Sequence, residues 1–440
     1  MTPSPYRLSA PVFQALARGG GGAPAVRLLA DAEYGRRLLL LRAVLDRARE
    51  HGGSTETRVR HLFGVLAEAR RTAPEATRRV LAHPSVGPRL VTTWRALEQP
   101  GPESALPLAA VAAAAAAAAG LDTPVAFHTT GPGAVLPAVG TAPLPGAGRG
   151  GAVRLRGRRL EYGDGARAWL PPPAELPRER PGWWPLRAVA AGGVVLDDAD
   201  PADGTAPARL SAAELRSWRT QTAFALRLLR TRHAGYAAEL AAGLRALTPV
   251  AKDDGDRAHH SGSSAEMFGG VALSRPACAR SLAETLVHEM QHSKLLAVTH
   301  LVDLLDPAAP DDAPLHYAPW REDPRPLSGL LHGTYAFLSV ARFWAVEAAA
   351  EPGPEERYRA QVRCARWRGA AAEGAEAILT DGADRLTPTG RRFVTGMAHA
   401  LAELTGTPLP ASAVREARRQ AEEHRGRWSA SGDAVGRTRT

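Results

Sequence analysis

The sequence predicts a mainly α protein with a small β-rich insert, an α+β fold, and three observations carry that expectation. Apolar residues recur at three- and four-residue spacing through Arg36–Arg49 and Glu56–Arg71, the signature of amphipathic helices. Between 121 and 205 the texture changes: glycine and proline become frequent, and short apolar runs such as Ala152–Leu155 and Gly193–Leu196 suggest strands. Two long helical patterns, 281–305 and 327–350, then flank the proline-dense stretch Asp306–Pro326.

These shifts divide the chain into an N-terminal helical region over 1–120, a small β-rich unit over 121–205, a helical catalytic region over 206–425 and a flexible tail over 426–440. In the first, Gly19–Gly22 and Gly52-Gly53 punctuate helices. The alanine tract Ala112–Ala119 reads as a helix end or low-complexity connector stopped by Gly120. In the second, Trp183 and Trp184 are expected to be buried or at an interface. Helix resumes over Arg209–Leu247, where Ser211 and Glu214 have capping-box spacing. Residues 250–275 read as a polar loop with Ser261, Ser263 and Ser264, closing on the β-like run Gly270–Leu273.

At 440 residues, 45% hydrophobic and 23% charged, the chain has globular composition and can bury a large core. Its formal charge of +10 is nearly all arginine: only Lys252 and Lys294 are lysines, Ile378 is the single isoleucine, and asparagine is absent. That bias is the imprint of GC-rich coding, so the charge argues weakly for nucleic-acid binding and none is expected. It also draws attention to the two surviving lysines. Two cysteines, Cys278 and Cys364, cannot make a Cys-rich zinc site or a disulfide framework. With no signal-peptide pattern and no apolar stretch long enough to span a bilayer, a soluble cytoplasmic protein without membrane contact is expected.

The chemistry concentrates in His288-Glu289-Met290-Gln291-His292. On a helix, residues four apart sit one above the other, so both imidazoles can reach one metal ion. Leu282, Leu286, Met290 and Leu296 supply the apolar positions of such a helix. The bland alternative is a packed helix that contains two histidines by chance. A third ligand must come from elsewhere. His332 is the best candidate, on the following helix next to Gly333, because two antiparallel helices joined by the proline-rich loop would bring it back to the pair. His316 and Glu347 are the rivals, and Glu347 would complete a two-His, one-Glu zinc set. Glu347 lies fifteen residues beyond His332. At ~1.5 Å per residue that is about 22 Å along a helix, so only one of them can bind. His300, rotated away from the pair, reads as structural.

In Tyr317–Pro326 prolines pin the backbone, and Arg321 and Arg325 precede the helix that carries His332. Arginine forks suit carboxylates, so these two are candidates for an anion clamp. Pairing with nearby Glu322 and Asp323 is the plain alternative.

Three motifs in this order, HEMQHSKL at His288–Leu295, APWREDPRPL at Ala318–Leu327 and LHGTYAFLSVARFW at Leu331–Trp344, resemble the HExxH-motif peptide-modification proteins of ribosomal-peptide gene clusters. VLDDADP at Val195–Pro201 and GGVALS at Gly269–Ser274 extend the resemblance over most of the chain. It implies an iron(II), 2-oxoglutarate-dependent peptide β-hydroxylase, with O2 as co-substrate and a ribosomal precursor peptide as substrate. A radical SAM maturase from the same cluster would be a further partner. With no CxxxCxxC motif the chain resembles the stand-alone form. On that reading His288, His292 and His332 hold iron, Arg321 or Arg325 takes the distal carboxylate of 2-oxoglutarate, and Glu289 is a supporting residue. The alternative is a zinc metallopeptidase in which Glu289 is the general base on a zinc-bound water.

Overall fold

The computed structural model describes residues 7–98, 106–129, 131, 133–143, 151–190, 193–198, 209–250, 261–308 and 314–437. It is 62% helix and 13% strand, which makes the fold mainly α with small sheets. The helices are α1 (Ala10–Ala17), α2 (Gly22–His51), α3 (Gly53–Thr72), α4 (Pro74–Ala82), α5 (Val86–Ala96), α6 (Leu108–Ala119), α7 (Ala212–Arg232), α8 (Ala234–Gly243), α9 (Ala279–Thr299), α10 (Leu327–Ala350), α11 (Pro354–Thr380), α12 (Pro388–Thr405) and α13 (Ala411–Arg437). None is long and apolar enough to cross a membrane.

Two compact units emerge, each assembled from separated stretches of chain. One comprises residues 30–223 and 244–277, the other 1–29, 224–243 and 278–440. The expected β-rich segment 121–205 falls wholly within the first unit, and the expected region 206–425 is divided between both. Lys252 lies outside the described residues.

All described strands belong to the first unit. A four-stranded antiparallel sheet has the order β1 (Val125–Thr129), β4 (Gly151–Arg156), β5 (Arg159–Tyr162), β6 (Arg167–Trp169). A three-stranded antiparallel sheet joins β2 (Gly133–Leu136), β3 (Gly140–Pro143) and β7 (Trp184–Pro185). In the five-stranded sheet β10 (Ala246–Pro249) runs parallel to both β12 (Gly270–Leu273) and β9 (Val195–Leu196), and β11 (Ser261–Gly262) and β8 (Arg187–Ala188) are antiparallel edges.

The alanine tract is not a connector. It forms α6, buried over Leu108–Ala117, at the centre of this unit's core. Methyl side chains make a thin helix that α3, α4 and β1 can approach closely, which explains a composition the sequence made look like low complexity. Gly120 ends it at φ +69°, a conformation that favours glycine. Asp198 of the VLDDADP segment is structural, and residues 199–201 lie outside the described ones: the buried Asp198 carboxylate meets Arg187, takes Arg209 at 3.1 Å and accepts the Leu210 N–H at 3.0 Å. Trp183 is fully buried and donates its indole N–H to the Leu176 carbonyl at 2.8 Å. Ser211 and Glu214 form the expected capping box.

Helices are the only regular elements among the described residues of the second unit, which is built around α10, whose Tyr335, Phe343 and Leu338 are fully buried. The Tyr335 hydroxyl donates to the Leu16 carbonyl at 2.7 Å. Lys294 is also fully buried. Its ammonium lies 3.0 and 3.1 Å from the two Glu239 oxygens and 3.3 Å from the Gly19 carbonyl, and Glu239 accepts the Gly22 N–H as well. Burial lowers the Lys294 pKa while Glu239 opposes that shift. The lysine flagged in sequence therefore holds α8, α9 and the N-terminal segment together. The helix expected to reach 305 stops at Thr299, because the following residues pair elsewhere: Leu305 bridges Leu386, and the Leu304 carbonyl accepts the Thr387 N–H.

Removing one member of a buried ion pair leaves the other charge uncompensated. Lys294→Met is expected to cost about 3–5 kcal/mol in chemical denaturation. Lys294→Met combined with Glu239→Gln should recover part of that loss; equal stability of wild type and the single variant would refute the assignment.

Candidate metal centre

Helix α9 is buried on nearly every side. Leu282, Leu286, Val287, Met290, Leu295 and Val298 pack inward, and between Leu282 and Val298 the partly exposed residues form a single i, i+4 stripe of Glu284, His288, His292 and Leu296. The spacing that puts two imidazoles on one face thus coincides with the only open face along this stretch. Across it lies α10. The Trp344 indole N–H donates to Glu284 Oε1 at 2.7 Å, His288 meets Phe337 edge-on at 5.1 Å between ring centres, and His292 faces His332 at 5.8 Å.

The geometry can be tested against a metal. His288 Nε2 and His292 Nε2 are 3.0 Å apart, with ring centres at 4.7 Å. Two nitrogens at ~2.1 Å from one ion stand about 3.0 Å apart when the angle between them is a right angle. Ring centres then lie about 3.2 Å from the ion, so two rings flanking it separate by up to about 6.4 Å. The 5.8 Å between His292 and His332 falls within that limit. As the side chains stand, the set is not closed: among the described residues no group of three His, Cys, Asp or Glu is gathered to hold a metal ion. Two nitrogens have metal-pair spacing, and His332 has to draw in to complete the set.

Electrostatics favour the ligand state. Burial pushes His288 and His332 down to about 4, and His292 falls well below its ordinary value through burial and then through its two neighbours. All three rings are neutral at pH 7, with lone pairs available for a cation. Glu289, next to His288, is 1% exposed on the packed flank of the helix.

Of the rival ligands, Glu347 is engaged elsewhere. Glu347 accepts from His233 at 3.1 Å on one oxygen and from Arg232 at 3.0 Å and Arg280 at 3.1 Å on the other. Against burial, which pushes it up, His233 and Arg232 hold its carboxyl below the usual value. It is the centre of an ion-pair cluster, not a ligand. His316 exchanges backbone hydrogen bonds with Arg325 at 2.7 and 2.9 Å, and His300 caps the end of α9. Arg321 and Arg325 both pair with Asp323, at 2.7 and 3.3 Å. Ser261, Ser263 and Ser264 belong to the other unit.

Several residues beside the histidines were not singled out in sequence. Phe337 stacks on Trp320 at 5.0 Å and meets Trp367 at 4.6 Å, a wall of partly exposed rings against His288. Glycine makes it possible: a Cβ at Gly333 would overlap the Trp320 ring, and one at Gly374 would overlap the Thr334 hydroxyl. The only sequence signal for the wall was aromatic residues at positions facing α9. A groove of about 780 Å³ lies between α1 and α12, and none of the three histidines lines it.

No family model and no curated protein matches this chain. Its functional reading therefore rests on the residues themselves.

The depressed imidazoles carry a pH signature. A histidine whose folded pKa lies below the unfolded value of 6.5 takes up protons on unfolding. Its stabilising contribution is full above 6.5 and is lost as pH falls towards 4. The metal-free protein should show a melting temperature that drops steadily over that window. A flat profile would mean that the rings titrate in the fold as they do in the unfolded chain, and so are not depressed.

Proposed function

We propose that this protein is a non-haem iron, 2-oxoglutarate-dependent dioxygenase that hydroxylates the β-carbon of a residue in a ribosomally synthesised precursor peptide. The observation that supports it most is the pair of neutral imidazoles on the open stripe of α9 with the neutral His332 ring of α10 facing it. Their helices would pair antiparallel, so that His332 returns to the level of His292. Iron(II) bound there, with 2-oxoglutarate as the reductant, would supply the power to insert one atom of O2 into a C–H bond. The chain's own residues do the rest. His288, His292 and His332 bind through neutral nitrogens, and three such ligands leave positions open for co-substrates. The rings of Trp320, Phe337 and Trp367 keep water away and offer an apolar seat for the peptide. Glu289 supports the ligand helix from its buried side. Arg321 or Arg325 would take the distal carboxylate of 2-oxoglutarate in exchange for Asp323.

A reaction on a precursor peptide before its export belongs in the cytoplasm, and a radical SAM maturase acting on the same peptide would be a natural partner. The HExxH sequence favours one other reading, a zinc metallopeptidase with Glu289 as general base.

One incubation separates the two. The protein with iron(II), 2-oxoglutarate, O2 and the peptide encoded beside its gene should yield a mass gain of one oxygen atom with matching succinate. His332→Ala should lower turnover by at least about a hundredfold, as loss of a metal ligand exceeds the ~10–100-fold typical of its hydrogen-bonded supports. Backbone cleavage with zinc and no need for 2-oxoglutarate would establish the peptidase instead.

A further inference from the structure

Bounded by Trp367, the second unit contains a cavity of about 360 Å³. Arg363, Arg366 and Trp367 of α11 and Gln420, His424 and Arg427 of α13 line it. Three arginines therefore line one small space, and the one carboxylate that lines it, Glu423, is engaged by Arg419.

The cations are unevenly compensated. Arg427 pairs with Glu322 at 2.8 Å. Arg363 lies over the Trp344 ring at 4.4 Å. Arg366 is 8% exposed and donates to the Pro319 carbonyl at 2.6 Å, and among the described residues no carboxylate pairs with it. Burying a guanidinium without an anion is costly. The pKa directions agree with a positive interior: burial lowers Arg366, and His424 is lowered by burial and then by Arg366 and Arg427.

The cavity is also fixed in place. The Tyr317 hydroxyl and His424 Nδ1 share a hydrogen bond of 2.8 Å, and Trp428 packs on the Tyr317 ring at 5.1 Å. With the Arg366–Pro319 and Arg427–Glu322 contacts, these tie α11 and α13 to the loop that seats Trp320. The route to the histidines is short. Trp367 meets Phe337, and Phe337 meets His288, at 4.6 and 5.1 Å between ring centres.

We infer that this cavity is an anion-recognition pocket that binds a carboxylate of the ligand presented to the histidines. Arg366 supplies a buried fork, Arg363 and Arg427 close over the anion, and Trp367 packs against the carbon chain that carries it. On the functional reading above, on which this assignment to a substrate rests, the carboxylate is an acidic side chain of the peptide. It would set the register in which a neighbouring residue meets the metal. A small dicarboxylate is the other source of the same chemistry.

Calorimetric titration of the full chain at low salt, without iron or O2, tests the pocket independently of any turnover. The probes are a blocked glutamate-rich peptide, its glutamine counterpart and glutarate. Binding of the glutamate peptide but not the glutamine peptide supports a peptide-side-chain site. Binding of glutarate alone supports the same pocket with a small dicarboxylate as its ligand. In either case Arg363→Gln with Arg427→Gln, both at the rim, should weaken binding at least about tenfold, and Arg366→Lys should weaken it while circular dichroism stays unchanged. His288→Ala should leave it intact. No binding of either anion, or equal binding by the rim variant, would overturn the assignment. A hydroxylase that fails to turn over yet binds the anion would refute the function and leave the pocket standing.

Discussion

The contact between α9 and α10 is the constraint on which the site depends. Each of its crossing points pairs a residue from the open stripe with an aromatic partner: Glu284 with Trp344, His288 with Phe337, His292 with His332. Partners fall in number on one helix as they rise on the other. That order keeps His332 level with the HExxH pair instead of a turn above or below it. The stripe is flanked by fixed groups: Lys294 is paired within the unit, Glu347 is bound by Arg232, Arg280 and His233, and Gly333 admits Trp320 against the helix.

Burial then sets the chemistry. A protonated imidazole is a poor ligand, and a low-polarity surround removes the proton without a nearby cation to repel it. The same surround makes an apolar group welcome and water less so. Guanidinium groups stand farther out, beyond Trp367. The centre thus grades from neutral donors at the bottom of the stripe, through an aromatic wall, to positive charge.

Much of this was legible in the sequence, for physical reasons. Helix periodicity located α10 to the residue and α9 at its start, and four-residue spacing put His288 and His292 on one face. His332 followed from the need for a ligand on the next helix. What periodicity cannot show is which polar residues the fold will pair. Lys294 and Glu347 looked chemical and proved to be ion-pair partners, and Asp198 serves a buried arginine pair. Arg321 and Arg325 share Asp323, two residues from each, a contact too local for a sequence pattern to exclude. The converse miss was larger. Arg363, Arg366 and Trp367 sit in an ordinary-looking helix, and only the approach of α13 makes a pocket of them. The alanine tract left two readings open, since a small side chain marks both a connector and a tightly packed helix, and the helix end stopped by Gly120 is the one the fold adopts.

The central claim is that one ion is held by three imidazoles, and X-ray absorption at the iron edge of the iron(II)-loaded, anaerobic protein tests it most directly. The account predicts a first coordination sphere with three imidazole scatterers at about 2.1 Å, falling to two in His332→Ala. Two imidazoles in the wild type, unchanged by that substitution, would contradict it.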